Sequence, residues 1–199
     1  MRTIMGFCGT CSDITDFTKG LMQAAPRGHG ESRIVDAGHG LLGYRRRASG
    51  EHPAVELQPL TLDGSCAACS LPCRRVLPEK PCYGGLRAGL QARGYTFRSR
   101  CDCELLLPLY REYGVNMFGM LKGEFAVILF DRASGAFIAA RDSAGSRPLY
   151  YGQDDAGNPV FASEAESLMG LCRRVLPFPP GCYYRDGRFV RYNDSVGAA

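Results

Sequence analysis

Cysteine gives this chain its widest choice of chemistry. Ten of its 199 residues are Cys, and four of them cluster as Cys66, Cys69, Cys73 and Cys82. The spacing C-x2-C-x3-C-x8-C offers enough thiolates for one tetrahedral zinc ion, though its second half lacks the close knuckle spacing. Reduced thiols without metal are the other reading, and an iron–sulfur cluster a third. Cys8 with Cys11 and Cys101 with Cys103 are weaker pairs. His29, His39 and His52 lie among glycines or beside Pro53, with no carboxylate at ligand spacing, and are expected in exposed loops. Arginine is the second reactive type, but its runs at 45–47, 74–75 and 173–174 are scattered. With 24 basic and 20 acidic residues the formal charge is +4. That balance predicts no nucleic-acid partner, which needs a concentrated basic face.

The elements around these residues follow from periodicity. At 45% hydrophobic residues the chain can bury a core without staples, so one domain over 1–199 is expected, with a cysteine-rich insertion at about 65–82. No apolar run approaches a membrane span and no secretory signal opens the chain, which predicts a cytoplasmic location. Residues 3–8 read as a buried strand. Asp13 can cap a helix with Phe17, Leu21 and Met22 on one face, and the glycine-rich stretch 28–50 reads as turns and short strands. Helices are expected at about 84–93 and 102–113, the second stopped by Gly114 and kinked at Pro108. The continuous apolar run 125–130 reads as a strand covered on both faces. Short strands should follow at 137–140, 149–151 and 160–162, then a helical stretch near 164–171. Asp186-Gly187 marks a closing hairpin. These elements make an α+β layered domain with antiparallel sheet.

Five stretches then stand out together: Leu86-Arg87, Asp102 within Arg-Cys-Asp-Cys-Glu, Leu-Lys-Gly-Glu-Phe-Ala at 121–126, Ala-Arg-Asp-Ser-Ala-Gly-Ser-Arg-Pro-Leu-Tyr-Tyr at 140–151, and Phe-Ala-Ser-Glu at 161–164. In this order the chain resembles the glutaminase domain of asparagine synthetases, a class II glutamine amidotransferase, over nearly its whole length. The resemblance implies a four-layer αββα sandwich of the N-terminal-nucleophile hydrolase type. It also implies a nucleophilic cysteine directly after the initiator Met, whose thiol forms a thioester while its own amine acts as base. Here Arg2 occupies that position, and a guanidinium offers only donors. Arg27-Gly28 matches the Arg-Gly of the family's His-Arg-Gly-Pro-Asp.

The substrate-holding positions fare better. Tyr44-Arg45-Arg46-Arg47-Ala48 resembles the family's His-Arg-Arg-Leu-Ser, which puts Arg46 where an arginine forks onto the glutamine α-carboxylate. Asp102 falls where a carboxylate holds the α-ammonium; an exposed arginine and a helix cap are the competing readings. The oxyanion motif Asn-Gly-Glu-Ile-Tyr-Asn has no counterpart. If Gln58-Pro59 and Asp63-Gly64 match the residues preceding it, the cysteine-rich run takes its place, and a looser match of Asp63-Gly64 to Asn-Gly would set a carboxylate against an oxyanion. The 140–151 block is expected to be structural, with Arg141 and Asp142 turning one strand toward the next while Tyr150 and Tyr151 pack.

Three functional readings result. The first is a glutaminase-like domain that has lost hydrolysis and partners a separately encoded ATP-dependent synthetase subunit, with a site still able to bind glutamine or another amino acid. The second is an active amidotransferase whose N-terminal Cys is exposed by processing or hidden by a misassigned start, with Cys8-Gly9 the nearest candidate. The third is a zinc-stapled interaction module.

Overall fold

The computed structural model describes residues 2–9, 14–23, 30–47, 57–71 and 83–192. Among these, twelve strands form two six-stranded antiparallel sheets. The first sheet runs β10 (Val175–Pro177), β8 (Tyr150–Gln153), β9 (Pro159–Ala162), β1 (Arg2–Cys8), β3 (Gly40–Arg47) and β2 (Gly30–Asp36). The second runs β12 (Arg188–Arg191), β11 (Cys182–Arg185), β7 (Ala136–Arg141), β6 (Ala126–Asp131), β5 (Ser65–Ser70) and β4 (Leu60–Leu62).

Strand alternation sorts the apolar residues into three cores. Ile4, Leu42 and Tyr44 of the first sheet meet Ala126, Ile128 and Phe130 of the second. On the outer face of the first sheet, Met5, Phe7 and Leu41 pack against Phe17 and Leu21 of α1 (Ile14–Gln23). On the outer face of the second, Val127 and Leu129 meet Leu90 of α2 (Gly84–Ala92), Leu106 and Leu109 of α3 (Leu106–Tyr113), and Met117 and Phe118 of α4 (Met117–Met120). This is the expected α+β αββα sandwich. The unbroken apolar run of β6 is explained directly, since one of its faces lines the inter-sheet core and the other the helical layer. The sheets approach so closely at β1 that a Cβ on Gly6 would lie 2.6 Å from Ile128 Cγ2.

Several boundaries depart from the sequence expectation. The glycine-rich stretch gives two long paired strands, β2 and β3, in register from Gly30↔Arg47 to Asp36↔Leu41. Met22 is exposed rather than on the buried face of α1. The helix expected over 102–113 is divided: Asp102–Leu105 is a 3-10 turn and α3 starts at Leu106. Pro108 therefore sits in the first turn of α3, where its missing N–H costs no intrahelical bond. The change of helix type precedes it by two residues. The stretch 164–171 holds only a 3-10 turn at Ala165–Ser167, built from i→i+3 bonds such as Leu168 N–H to the Ala165 carbonyl at 3.0 Å. Residues 65–70, assigned to an insertion on sequence, are β5, paired on both sides within the second sheet. The hairpin at Asp186-Gly187 forms as expected, with positive φ at both turn residues, 49° and 81°.

Candidate functional site

The register of β1 builds the site. Ile4 pairs with Tyr44 and Arg2 with Arg46, and across the next ladder Arg46 pairs with Glu31. Alternation then places Arg2, Arg46 and Glu31 in one row on the face that carries Ile4 and Tyr44 into the inter-sheet core. The row lies at the end of the sandwich. Arg2 crosses the gap between sheets, its Nη1 donating to the Leu71 carbonyl at 3.1 Å, just past the end of β5.

Arg46 is not an exposed arginine: it is 6% accessible. Its Nε and Nη2 both donate to Glu31 Oε2, at 2.7 and 2.6 Å. Glu31 thus presents to Arg46 the kind of group, a carboxylate, that the resemblance assigns to a substrate. Tyr44 fills the space beneath. Burial pushes its phenol well above the ordinary range, the Arg2 and Arg46 charges pull it back, and the Cys103 and Cys69 thiols add to the rise.

Asp102 opens the 3-10 turn that precedes α3, with Arg87 Nη2 at 4.0 Å from its Oδ1. Arg87 fixes the approach to this turn by donating to the Ser99 carbonyl at 3.0 Å and the Cys101 carbonyl at 2.9 Å, with its guanidinium over the Phe97 ring. Glu104 accepts the amides of Arg98 and Ser99. The loop that delivers Asp102 is therefore fastened at both ends. Beside it opens a cavity of about 640 Å³, lined by Arg33, Leu57, Phe97, Cys103, Glu104 and Arg111 among others.

Of the four cysteines proposed as zinc ligands, the structure describes two, Cys66 and Cys69, and they do not face one point. Cys66 and Cys69 are three apart on a strand, so their side chains leave opposite faces: Cys66 enters the inter-sheet core and Cys69 the core beneath the helices. One ion cannot take both. Cys73 and Cys82 lie outside the described residues, as do Cys11, Asp13, Arg27-Gly28, His29 and His52. Among the described residues no three His, Cys, Asp or Glu side chains gather as a metal site. His39 is exposed in the β2–β3 turn, as expected.

Cys69 instead meets Cys103, Sγ to Sγ at 2.8 Å. Gln58 joins the two: its Oε1 accepts the Cys69 amide at 2.6 Å, and its Nε2 faces Cys103 Sγ at 3.3 Å. Sequence spacing did not point to Glu31 or to the Cys69–Cys103 contact, because both arise from pairing between elements. Cys8 sits at the far end of β1, and enclosure pushes its thiol well above its ordinary value, the opposite of nucleophile activation. Asp63-Gly64 is the turn joining β4 to β5, remote along the strand from Leu71, which excludes its match to an oxyanion motif beside Arg2.

Comparison with known proteins agrees with this architecture. The glutamine amidotransferase domain family matches residues 1–176. A probable glutamine-hydrolyzing asparagine synthetase of Dictyostelium discoideum is 40% identical over 110 residues, which are 54% of this chain and 20% of the relative. Asparagine synthetase B of Escherichia coli K12 is 39% identical over 100 residues, 49% of this chain and 18% of the relative. The match thus spans about a fifth of the length of these relatives. Among solved structures, glutamine phosphoribosylpyrophosphate amidotransferase from B. subtilis, complexed with ADP and GMP, superposes on 96% of this chain and 49% of its own. The TM-score is 0.74 at 21% identity, a likeness of fold. No helix among the described residues is long and apolar enough to cross a membrane.

Proposed function

This chain belongs to the glutamine amidotransferase domain family, and from that premise we propose that it has lost glutamine hydrolysis and acts as a structural or regulatory partner of a separately encoded ATP-dependent amide synthetase. The observation that carries the reading is Arg2. At the inter-sheet end of β1, where the family chemistry calls for a thiol, a guanidinium spans to the Leu71 carbonyl. It has no lone pair to attack an amide, and the carbonyl it meets is an acceptor, of no use to a developing oxyanion. Glu31 on Arg46 supports the same reading, because a glutamine α-carboxylate would have to displace it.

The synthetase partner is proposed from the relatives, whose names join glutamine hydrolysis to asparagine synthesis and whose length lies mostly outside the match. The acceptor that such a partner amidates would be set by the partner. The test is direct. Purified protein is incubated with glutamine, and separately with an electrophilic glutamine analogue followed by intact-mass analysis. No glutamate release and no adduct are expected. Turnover, or an adduct on a trimmed chain beginning at a cysteine, would overturn the proposal.

A further inference from the structure

The Cys69–Cys103 pair lies at the junction of three elements, and neither thiol belongs to the Arg2–Arg46–Glu31 row. Cys69 is on β5, Cys103 in the 3-10 turn before α3, and Gln58 precedes β4. Both thiols are almost fully buried, at 0% and 2% accessible. Their sulfurs are 2.8 Å apart, about 0.8 Å beyond the length of an S–S bond. Gln58 holds the two in place. Because its Oε1 is committed to the Cys69 amide, its Nε2 must face the Cys103 sulfur. The two thiols differ in access: Cys103 lines the 640 Å³ cavity that opens beside the turn carrying Asp102, whereas Cys69 does not.

We propose that Cys69 and Cys103 are an oxidisable dithiol, a modification site in which Cys103 reacts first with hydrogen peroxide from the cavity and Cys69 resolves it to a disulfide. In the first step the Cys103 sulfur attacks one peroxide oxygen and the O–O bond breaks. The departing hydroxide takes the thiol proton as water, which leaves a sulfenic acid. The Cys69 sulfur then attacks the Cys103 sulfur, an S–S bond forms and the S–O bond breaks. The released hydroxide takes the Cys69 proton as a second water. Two thiols are oxidised while one peroxide is reduced to two waters. The product ties β5 of the second sheet to the helical layer above it, within the core that both thiols share. This inference does not depend on whether the domain hydrolyses glutamine.

The experiment treats the reduced full chain with one equivalent of hydrogen peroxide, then alkylates under denaturing conditions and maps cross-linked peptides by fragmentation. The expected result is loss of two of the ten alkylatable thiols, with a Cys69–Cys103 cross-link that dithiothreitol reverses. Cys66→Ala and Cys101→Ala should keep the cross-link, whereas Cys69→Ala should instead trap a dimedone-reactive sulfenic acid on Cys103. The wild-type map decides the matter even if a variant fails to fold. Oxidation elsewhere while Cys69 and Cys103 still alkylate, or a cross-link to Cys66 or Cys101, would overturn the proposal.

Discussion

The Arg141–Asp142 pair and the Arg2–Arg46–Glu31 row are both built from guanidinium and carboxylate, yet they are held in opposite ways. Arg141 donates to the carbonyls of Gly145, Arg147 and Phe178. Asp142, 1% accessible, accepts the amides of Phe125, Ser146 and Arg147. Each side chain there satisfies backbone groups that the fold would otherwise leave stranded. In the row at the end of β1, Arg46 engages a half-exposed carboxylate and Arg2 reaches the Leu71 carbonyl. The first cluster is required to close strands onto one another, and the second is not. A sequence can therefore keep the first, and with it the family pattern, whatever residue stands at the end of β1, and the proposed loss of the nucleophile there needs no change in the first. Fold and catalysis occupy different residues, and only the former is under constraint from folding itself.

The largest effect should come from breaking the closed cluster. Asp142→Ala leaves three amides without that acceptor, at a cost of about 3 kcal/mol or more, a large share of the roughly 5–15 kcal/mol that holds a domain together. Urea unfolding should show a collapsed midpoint or no folded baseline. A midpoint near wild type would mean that the cluster is not what the motif preserves.

Alkaline pH sharpens the contrast within a single strand. On β5, Cys69 faces Cys103, but Cys66 faces the inter-sheet core, where burial pushes its thiol up to about 11. Cys172 is likewise raised to about 11 by burial, with Asp154 adding to it. Unfolded thiols ionise at about 8.5, so between there and about 11 the unfolded chain releases protons that the folded chain retains. The stabilisation is complete below about pH 8.5 and is lost as pH rises toward about 11. Between about pH 8 and about pH 10.5, urea unfolding should show stability falling by about 2 kcal/mol for each of these thiols. Cys66→Ala should lessen that fall and leave the part that Cys172 contributes, and an unchanged slope would show that Cys66 is already ionised or open to water.

Glu31→Gln tests the open row. It removes the charge facing a buried guanidinium, a loss that would be severe in a dry interior, but Glu31 is 51% exposed and water screens the difference. About 1 kcal/mol of destabilisation is expected, together with a gain in anion binding at Arg46, readable by chloride- or acetate-dependent shifts in thermal midpoint. No gain in anion response would mean that Glu31 is not what occupies Arg46.

What was legible in the sequence follows the same division. The β6 run, Gly114 and the Asp-Gly hairpin were legible because their signals are local, a few residues with one conformational solution. The 30–47 hairpin was not: its glycines and charges hide strands whose only strong preference is for each other. Arg46 was found by resemblance, but its partner is fixed by cross-strand register, 15 residues away. The Cys69–Cys103 contact joins two layers across 34 residues. The spacing of Cys66 and Cys69 suggested that the two could share an ion because a list of residues carries no faces, and only the period of β5 sends them apart.

The smallest structural effect, and the most direct challenge to the comparison, is expected from Arg2→Cys. The substitution removes the hydrogen bond to Leu71 across a partly open gap, which alone accounts for a loss of about 1 kcal/mol. It also restores the element that the family chemistry needs first. Turnover of glutamine should nevertheless remain at background, because the sequence has no Asn-Gly counterpart to point a donor at the developing oxyanion and Arg46 stays engaged by Glu31. Missing donors alone cost an amide-cleaving site on the order of a hundred-fold or more. A glutaminase assay on the purified variant, with mass analysis to verify that Met1 has been removed and the introduced cysteine exposed as the new N-terminus, separates the two cases. Measurable turnover would mean that a single side chain divides this domain from an enzyme and that the open end of the sandwich still holds its working geometry. Background rates in a folded, correctly trimmed variant would place the loss in the whole row and in the strand end it faces.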